Sequence, residues 1–324
     1  LGQIRALNPR AFPGTSRNPA VRERGERLGV ILVEYADEAG ANAILEDLGR
    51  ASDLEVVVVS TGPKALRASG GVATLVHLPT NPGFGAALNV GVESLSRAVS
   101  YFVISNTDVR CSAEDLRELW GTATRSGLAV VSPTIVGPDG RVHWDGGRID
   151  FLRLTAIHER YGRERRTEAI LEPTVFVTGA FVMVRRDVWR AVGGMREDFF
   201  LYAEDADFSM RLRRGGFAAR VFTGVTVVHR PSASVGRYSP LQVYLMTRNN
   251  IRFFREWSPH TWGRAACWTA VPLRLAWQVL RGARAPWKLV GWILLGVLDA
   301  RRRSAHYSFK GRAARVFGSG QDTR

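Results

Sequence analysis

From residue 28 the chain alternates short, uninterrupted apolar runs with longer stretches whose apolar positions recur at helical spacing. Leu28-Gly-Val-Ile-Leu-Val33, Leu54-Glu-Val-Val-Val-Val59, residues 72–78 and Tyr101-Phe-Val-Ile104 read as strands. Their β-branched residues lose side-chain freedom in a helix but pack well on a pleated surface. Residues 39–48, the stretch from Asn81-Pro-Gly-Phe-Gly85 to about residue 98, and 116–124 read as helices, and Ala129-Val-Val131 opens another strand. Strands without a polar face, separated by helices, predict an α/β fold with a sheet covered on both sides. Ligands of such sheets bind at the carboxyl ends of the strands, which is where Asn106, Thr107 and Asp108 fall.

Beyond residue 141 the rhythm changes. His143-Trp-Asp-Gly-Gly147 predicts a turn and 158–172 a polar loop; 174–184 predicts one long strand interrupted at Thr178-Gly179-Ala180. A short helix over 186–192 stops at Gly193-Gly194. The acidic Glu204-Asp-Ala-Asp207 opens a helix to Arg214, and 217–228 is a strand that delivers His229. This half continues the first sheet with mixed β structure. An amphipathic helix carrying Arg248, Arg252 and Arg255 follows over 244–257, then two apolar segments, 268–280 and 287–298, each too short to span a bilayer.

Hydrophobic residues make up 45% of the 324, enough for a substantial core, which excludes a disordered chain. The two cysteines, Cys111 and Cys267, exclude a disulfide scaffold and a four-thiolate zinc site. The net charge of +15 is concentrated: residues 241–324 hold 15 Lys and Arg against 3 Asp and Glu, whereas residues 1–240 hold 30 against 27. Six of the nine tryptophans share that basic quarter. Trp and Arg around apolar faces predict helices that lie in the headgroup region of an anionic membrane. Packing against the body or a second subunit is the competing reading. Nucleic acid is not the expected partner, because no reading module accompanies the charge. Residues 1–27 lack the apolar stretch of a secretory signal, and without an initial Met the natural start stays open.

Four groups of residues could carry chemistry. Asp108, at a strand end, suits a hard divalent cation held against a diphosphate, or a helix cap. Glu204, Asp205 and Asp207 could be simple partners of a helix dipole; alternatively Asp205 takes a proton from an attacking hydroxyl while its neighbours orient it. His229 could complete a metal site if the fold brings it beside Asp108. Asn81-Pro-Gly-Phe-Gly85 with Asn89 is a glycine-bearing helix start at which backbone could approach a phosphate or ribose.

Taken in order, these segments resemble the family 2 glycosyltransferases, in particular their bacterial rhamnosyltransferase-like branch. The resemblance rests on Leu32-Val-Glu-Tyr35, Asn81-Pro-Gly-Phe-Gly85 with Asn89, Asn106-Thr-Asp108, Thr178-Gly-Ala180, Gly193-Gly194, Phe199-Phe-Leu-Tyr-Ala-Glu-Asp-Ala-Asp207, His229 and Arg248-Asn-Asn250, from about residue 28 to 257. It implies a GT-A fold: a mixed sheet flanked by helices, here with a C-terminal helical extension. By the same resemblance Asp205 is the catalytic base, Asp108 and His229 hold Mg²⁺ or Mn²⁺, and Val33, Glu34, Tyr35, Ser60, Gly83, Asn89, Asn106, Thr107 and Asp108 face the donor. Thr178, Gly179, Ala180 and Glu204 face the acceptor.

The implied activity is inverting transfer of a sugar, rhamnose by family branch, from a nucleotide-diphosphate donor to a hydroxyl. A lipid-linked cell-wall or polysaccharide intermediate is the expected acceptor, reached by a cytoplasmic protein at the inner face of the membrane. A soluble natural-product acceptor and a homo-oligomer remain open. One departure stands out: the family reads Val-Asp-Asn after its second strand, whereas this chain has Val59-Ser60-Thr61. Glu34 could return the missing carboxylate. Otherwise the alternative is a non-catalytic scaffold with the same fold. The expected division is an N-terminal extension (1–27), a catalytic domain (28–240) with a donor half to 135 and an acceptor half from 136, and a basic tail (241–324).

Overall fold

The computed structural model describes residues 25–62, 64–68, 73–230 and 238–301. Most of the expected N-terminal extension and the last part of the basic tail therefore lie outside the described residues. In chain order the described residues form β1 (Arg27–Glu34), α1 (Glu38–Leu48), β2 (Leu54–Ser60), β3 (Ala73–His77), α2 (Phe84–Ser94), β4 (Val99–Asn106), β5 (Val109–Arg110), α3 (Ala113–Arg125) and β6 (Val130–Val136). There follow β7 (Val142–Trp144), β8 (Gly147–Asp150), β9 (Thr155–His158), β10 (Leu171–Thr174), β11 (Phe181–Arg185), α4 (Arg186–Val192), α5 (Glu204–Arg214) and β12 (Ala219–His229). Helices α6 (Pro240–Trp257), α7 (Thr261–Gly282) and α8 (Trp287–Ala300) end the described chain.

The main sheet has the order β10-β12-β6-β11-β4-β1-β2-β3, with β5 added to β12 and β7 to β6. Strands β3, β2, β1 and β4 are parallel, and β11 enters antiparallel between β4 and β6, so the expected mixed sheet is present. Alternation along β1 explains its unbroken hydrophobicity. Val30 and Leu32 face α1 (Ala41, Ile44, Leu45) and α3 (Leu116, Leu119, Trp120), while Ile31 faces α2 (Leu88, Val92), α4 (Trp189) and α5 (Phe208, Leu212). Both sides of the strand are core, so neither needs polar residues.

The strand expected over 174–184 is instead two, β10 and β11, with 175–180 unpaired. The reason lies in α5. Ser209 Oγ accepts the Val177 N–H at 3.0 Å and Asp205 Oδ2 accepts the Gly179 N–H at 3.3 Å, so side chains take up backbone groups that a ladder would otherwise use. Two other boundaries move. Helix α2 stops at Ser94 because Leu95 is extended, and the turn expected at 143–147 is flanked by the short strands β7 and β8.

The boundary expected at residue 240 precedes a helix sunk into the body. Thr247, Arg248, Asn249 and Arg252 of α6 are all buried. Ile251, Phe253 and Phe254 join Phe176 and Phe199 of the body with Cys267 and Val271 of α7, and Val243, Tyr244 and Leu245 pack on Leu289, Trp292 and Ile293 of α8. No helix among the described residues is long and apolar enough to cross a membrane.

Candidate functional site at the carboxyl ends of the strands

Strand β1 is the switch point of the sheet: β2 lies on one side, β4 on the other, and the crevice beyond their carboxyl ends collects polar side chains. Glu34 pairs in register with Ser60, and Val33 with Asn106. The Ser60 hydroxyl donates to Glu34 Oε2 at 2.7 Å, and the Asp37 N–H donates to Oε1 at 2.8 Å. A carboxylate therefore stands at the end of β2, supplied from the neighbouring strand rather than by residue 60. It is held down, however, with Glu34 only 3% exposed. Tyr35 beside it is exposed. Asp37, the N-cap of α1, accepts the Thr107 hydroxyl at 2.6 Å and so ties the end of β1 to the segment carrying Asp108.

His229 reaches Asp108 through backbone pairing. Strand β5 adds to the end of β12, with His229 opposite Val109, and the Arg230 N–H donates to the Asp108 carbonyl at 2.8 Å. The result is Asp108 Oδ1 at 3.2 Å from His229 Nε2. The His143 ring packs edge-on against His229 at 5.9 Å and is stacked by Tyr161. Burial first, and His229 second, push the His143 pKa down. Tyr161 also lines a recess of about 650 Å³ with Arg141, Arg160 and Arg163. Asp108 and His229 are the two residues here that would offer ligands to a divalent cation, the carboxylate suiting Mg²⁺ or Mn²⁺ and the imidazole softer ions. Among the described residues no group of three or more His, Cys, Asp or Glu could hold a metal unaided.

Asp205 belongs to the same edge of the sheet. The Asn106 N–H donates to the Ala180 carbonyl at 3.0 Å, and the adjacent Gly179 N–H donates to Asp205 Oδ2, so one short path of backbone joins the Asp108 segment to the first turn of α5. Asp205 is partly buried. Loss of water raises its pKa, against the opposing pull of the Gly179 and Ala206 N–H groups and of His158. Glu204 is buried, and desolvation followed by the charge of Asp205 pushes its pKa up to about 8. At neutral pH Glu204 thus keeps its proton. Asp207 is fully buried and accepts from Arg196, Arg211 and the Trp257 indole, which makes it a structural partner. Thr178 turns its hydroxyl back to the Ala180 N–H. Gly179, lying between Phe84 and Asp205, offers backbone alone.

The loop that delivers Asp205 is strained. Phe200, Tyr202 and Ala203 all have positive φ, at 69°, 70° and 71°, a conformation that costs such residues free energy unless the surroundings impose it. Here α6 imposes it. Asn249 Nδ2 lies 2.8, 2.7 and 3.0 Å from the carbonyl oxygens of Phe199, Leu201 and Tyr202, and Arg248 and Arg252 donate to Asp198. From the other side the Phe84 N–H donates to the Phe200 carbonyl at 2.7 Å. Gly83 is required there, since a Cβ would fall 2.6 Å from that carbonyl oxygen.

Two residues expected at the donor are placed differently. Gly83 abuts the 199–203 loop. The amide of Asn89 exchanges bonds with the Met195 N–H and carbonyl, at 3.0 and 2.9 Å, and donates to Glu197 at 3.0 Å. With both ends of its amide engaged, Asn89 braces α2 against the Gly193-Gly194 turn rather than facing a ligand. Conversely, Asp37, His143, His158 and Asn249 were not anticipated at the site. Only Asp37, three residues before Gly40 at a helix start, left a local signal, that of a cap.

A mixed sheet of this order, flanked by helices, with acidic residues gathered at its strand ends, is the GT-A architecture. The chain belongs to glycosyl transferase family group 2, whose profile matches residues 102–300, and it is a glycosyltransferase. That match runs through α8, so all three C-terminal helices fall within the family region. The N-acetylglucosaminyl-diphospho-decaprenol L-rhamnosyltransferase of Mycobacterium tuberculosis is 25% identical over 287 residues, covering 80% of this chain and 90% of that protein. The low-salt glycan biosynthesis hexosyltransferase Agl10 of Haloferax volcanii is 24% identical over 232 residues, covering 68% of this chain and 73% of its own. Among solved structures, GalNAc-T7 with UDP, GalNAc and Mn²⁺ shares the fold with a TM-score of 0.56 at 11% identity; the match covers 90% of this chain and 58% of that one.

Proposed function

We propose that this protein is an inverting, metal-assisted glycosyltransferase that moves a sugar, rhamnose by the name of its mycobacterial relative, from a nucleoside-diphosphate donor to a lipid-linked hydroxyl acceptor at the cytoplasmic face of a membrane. The observation that carries the reading is the backbone path Asn106–Ala180–Gly179–Asp205, which sets the proposed base on the same edge as the Asp108–His229 pair. A divalent ion held by Asp108 and His229 would neutralise the charge that develops on the leaving diphosphate. Glu34 with Ser60 would receive hydroxyls of the donor nucleoside, with Tyr35, Asn106 and Thr107 around it. Asp205 takes the proton of the acceptor hydroxyl, whose oxygen attacks the anomeric carbon opposite the breaking bond to the diphosphate. Protonated Glu204 does not compete for that proton. The name of the mycobacterial relative supports a polyprenyl-diphosphate sugar as acceptor, hence a role in cell-wall or polysaccharide assembly.

The test is a screen of nucleotide sugars, with and without Mn²⁺, by thermal shift and by transfer to a polyprenyl-diphosphate sugar. One donor should raise the melting temperature only when the ion is present, and should yield product of inverted anomeric configuration. Retained configuration, or transfer equally fast in excess chelator, would refute the mechanism.

A further inference from the structure

Helices α7 and α8 are apolar on two opposite sides. One side of each is spent on the protein: Cys267, Val271, Leu275 and Val279 of α7, and Leu289, Trp292, Ile293 and Leu295 of α8, are buried in the clusters built around α6. The other side points away from α6 and is bare. Leu273, Trp277 and Leu280, spaced i, i+4, i+7, are 69%, 55% and 66% exposed; Trp287, Val290, Leu294 and Leu298 range from 50% to 70%. Helical periodicity places each set on one stripe. A helix that is apolar all round is normally covered all round, and exposed apolar patches of this kind mark interaction surfaces.

Charge identifies what covers it. No Asp or Glu occurs from residue 257 to 298, whereas Arg281, Arg284 and Lys288 lie exposed beside the stripes, and Arg281 lies 4.0 Å over the Trp277 ring. A second copy docked face to face would bring like charges together with no acid to pair them. Nor do the chain's own termini supply a complement: residues 1–24 carry five Arg against one Glu, and residues 302–324 six Lys and Arg against one Asp. Apolar side chains edged by Trp and ringed by cations match the headgroup boundary of an anionic bilayer.

We infer that the outward stripes of α7 and α8 form a membrane-docking face that lies in the interface of an anionic bilayer. This rests on the lipid-linked acceptor proposed above and adds the surface that reaches it. The face is rigidly joined to the site. Gly296 of α8 lies against the Tyr244 carbonyl and Thr247 of α6, Tyr244 donates to Asp299 at 2.9 Å, and α6 carries the Asn249 that holds the loop before Asp205. Docking therefore sets a fixed height of the proposed base above the bilayer.

The test is sedimentation of the full chain with vesicles of phosphatidylcholine containing roughly one third phosphatidylglycerol, beside vesicles of phosphatidylcholine alone. The wild type should bind the anionic vesicles and be released by salt. Leu294→Glu with Leu298→Glu should weaken binding by about tenfold or more, and Arg281→Glu with Arg284→Glu should weaken it on anionic vesicles only. Both variants alter exposed side chains, so unchanged melting temperature and unchanged donor hydrolysis serve as folding controls. No binding by the wild type, full binding by Leu294→Glu with Leu298→Glu, or a dimer that this double variant dissociates would each overturn the docking face. Binding without transfer to any lipid-linked acceptor would instead refute the acceptor reading and leave the face standing.

Discussion

The two sides of the cleft hold their carboxylates by opposite means. On the proposed donor side the acids sit at or just beyond the ends of parallel strands and their hydrogen bonds are met locally: Glu34 by Ser60 and the Asp37 N–H, Asp37 by Thr107 and Gly40. Neighbouring strands in register deliver these groups with little strain. On the proposed acceptor side Asp205 and Glu204 follow three residues of positive φ, and they are kept in place by Asn249, more than forty residues further along the chain. Burial there leaves Glu204 Oε2 without a hydrogen-bond partner among the described residues and raises the pKa of both acids.

The contrast is most easily broken at its acceptor end. Asp205→Asn keeps the shape but only one of the two accepted backbone bonds, and it cannot take a proton, so kcat should fall about 10²- to 10⁴-fold while the donor dissociation constant is unchanged. Near-normal turnover would remove Asp205 from the mechanism. Next in size is Asn249→Ala, which takes away the amide that holds three loop carbonyls. Unfolding free energy should drop by about 2–4 kcal/mol, with a loss of turnover that exceeds any loss of donor affinity. Denaturant titration alongside kinetics reads both, and a loop that keeps full activity without Asn249 would show that its strain is self-supported.

Glu204 gives a pH signature. The native side chain holds its proton to about pH 8, whereas the unfolded one releases it near 4.5. Between these values the native state binds more protons, so stability declines as pH rises through the window. Glu204→Gln removes that decline. Its melting temperature should match wild type at pH 4 and pull ahead up to pH 8, reaching a few kcal/mol of advantage. Parallel curves would place a charged Glu204 in the native protein. The smallest effect is expected on the donor side: Glu34→Gln should weaken nucleotide binding by about tenfold, and Ser60→Ala by less, with kcat little changed. Equal affinities in calorimetry would make the pair purely structural.

The strand ends were legible because their determinants are local. Unbroken β-branched runs located β1, β2 and β4, and with them Glu34, Ser60 and Asp108. The acidic start of α5 could be read from Glu204, Asp205 and Asp207 alone. The division of labour among these three could not, since it depends on Arg196, Arg211 and Trp257 reaching Asp207 and on burial sealing Glu204. Asn89 misled for a related reason: a helix-start motif specifies where the amide is, not that Met195 will occupy it. The basic quarter misled in part, because Arg248 and Arg252 count toward its charge yet are buried against Asp198.

By itself, then, the amino-acid order determined which segments become strands and helices, the sidedness of the sheet and the residue types at its edge, because periodicity and side-chain branching act over a few residues. Tertiary structure alone decided which acid faces which partner, which of them loses its water, and which apolar stripe of α7 and α8 stays bare. Those outcomes depend on segments far apart in the chain meeting at one place, and desolvation is a property of the place rather than of the residue.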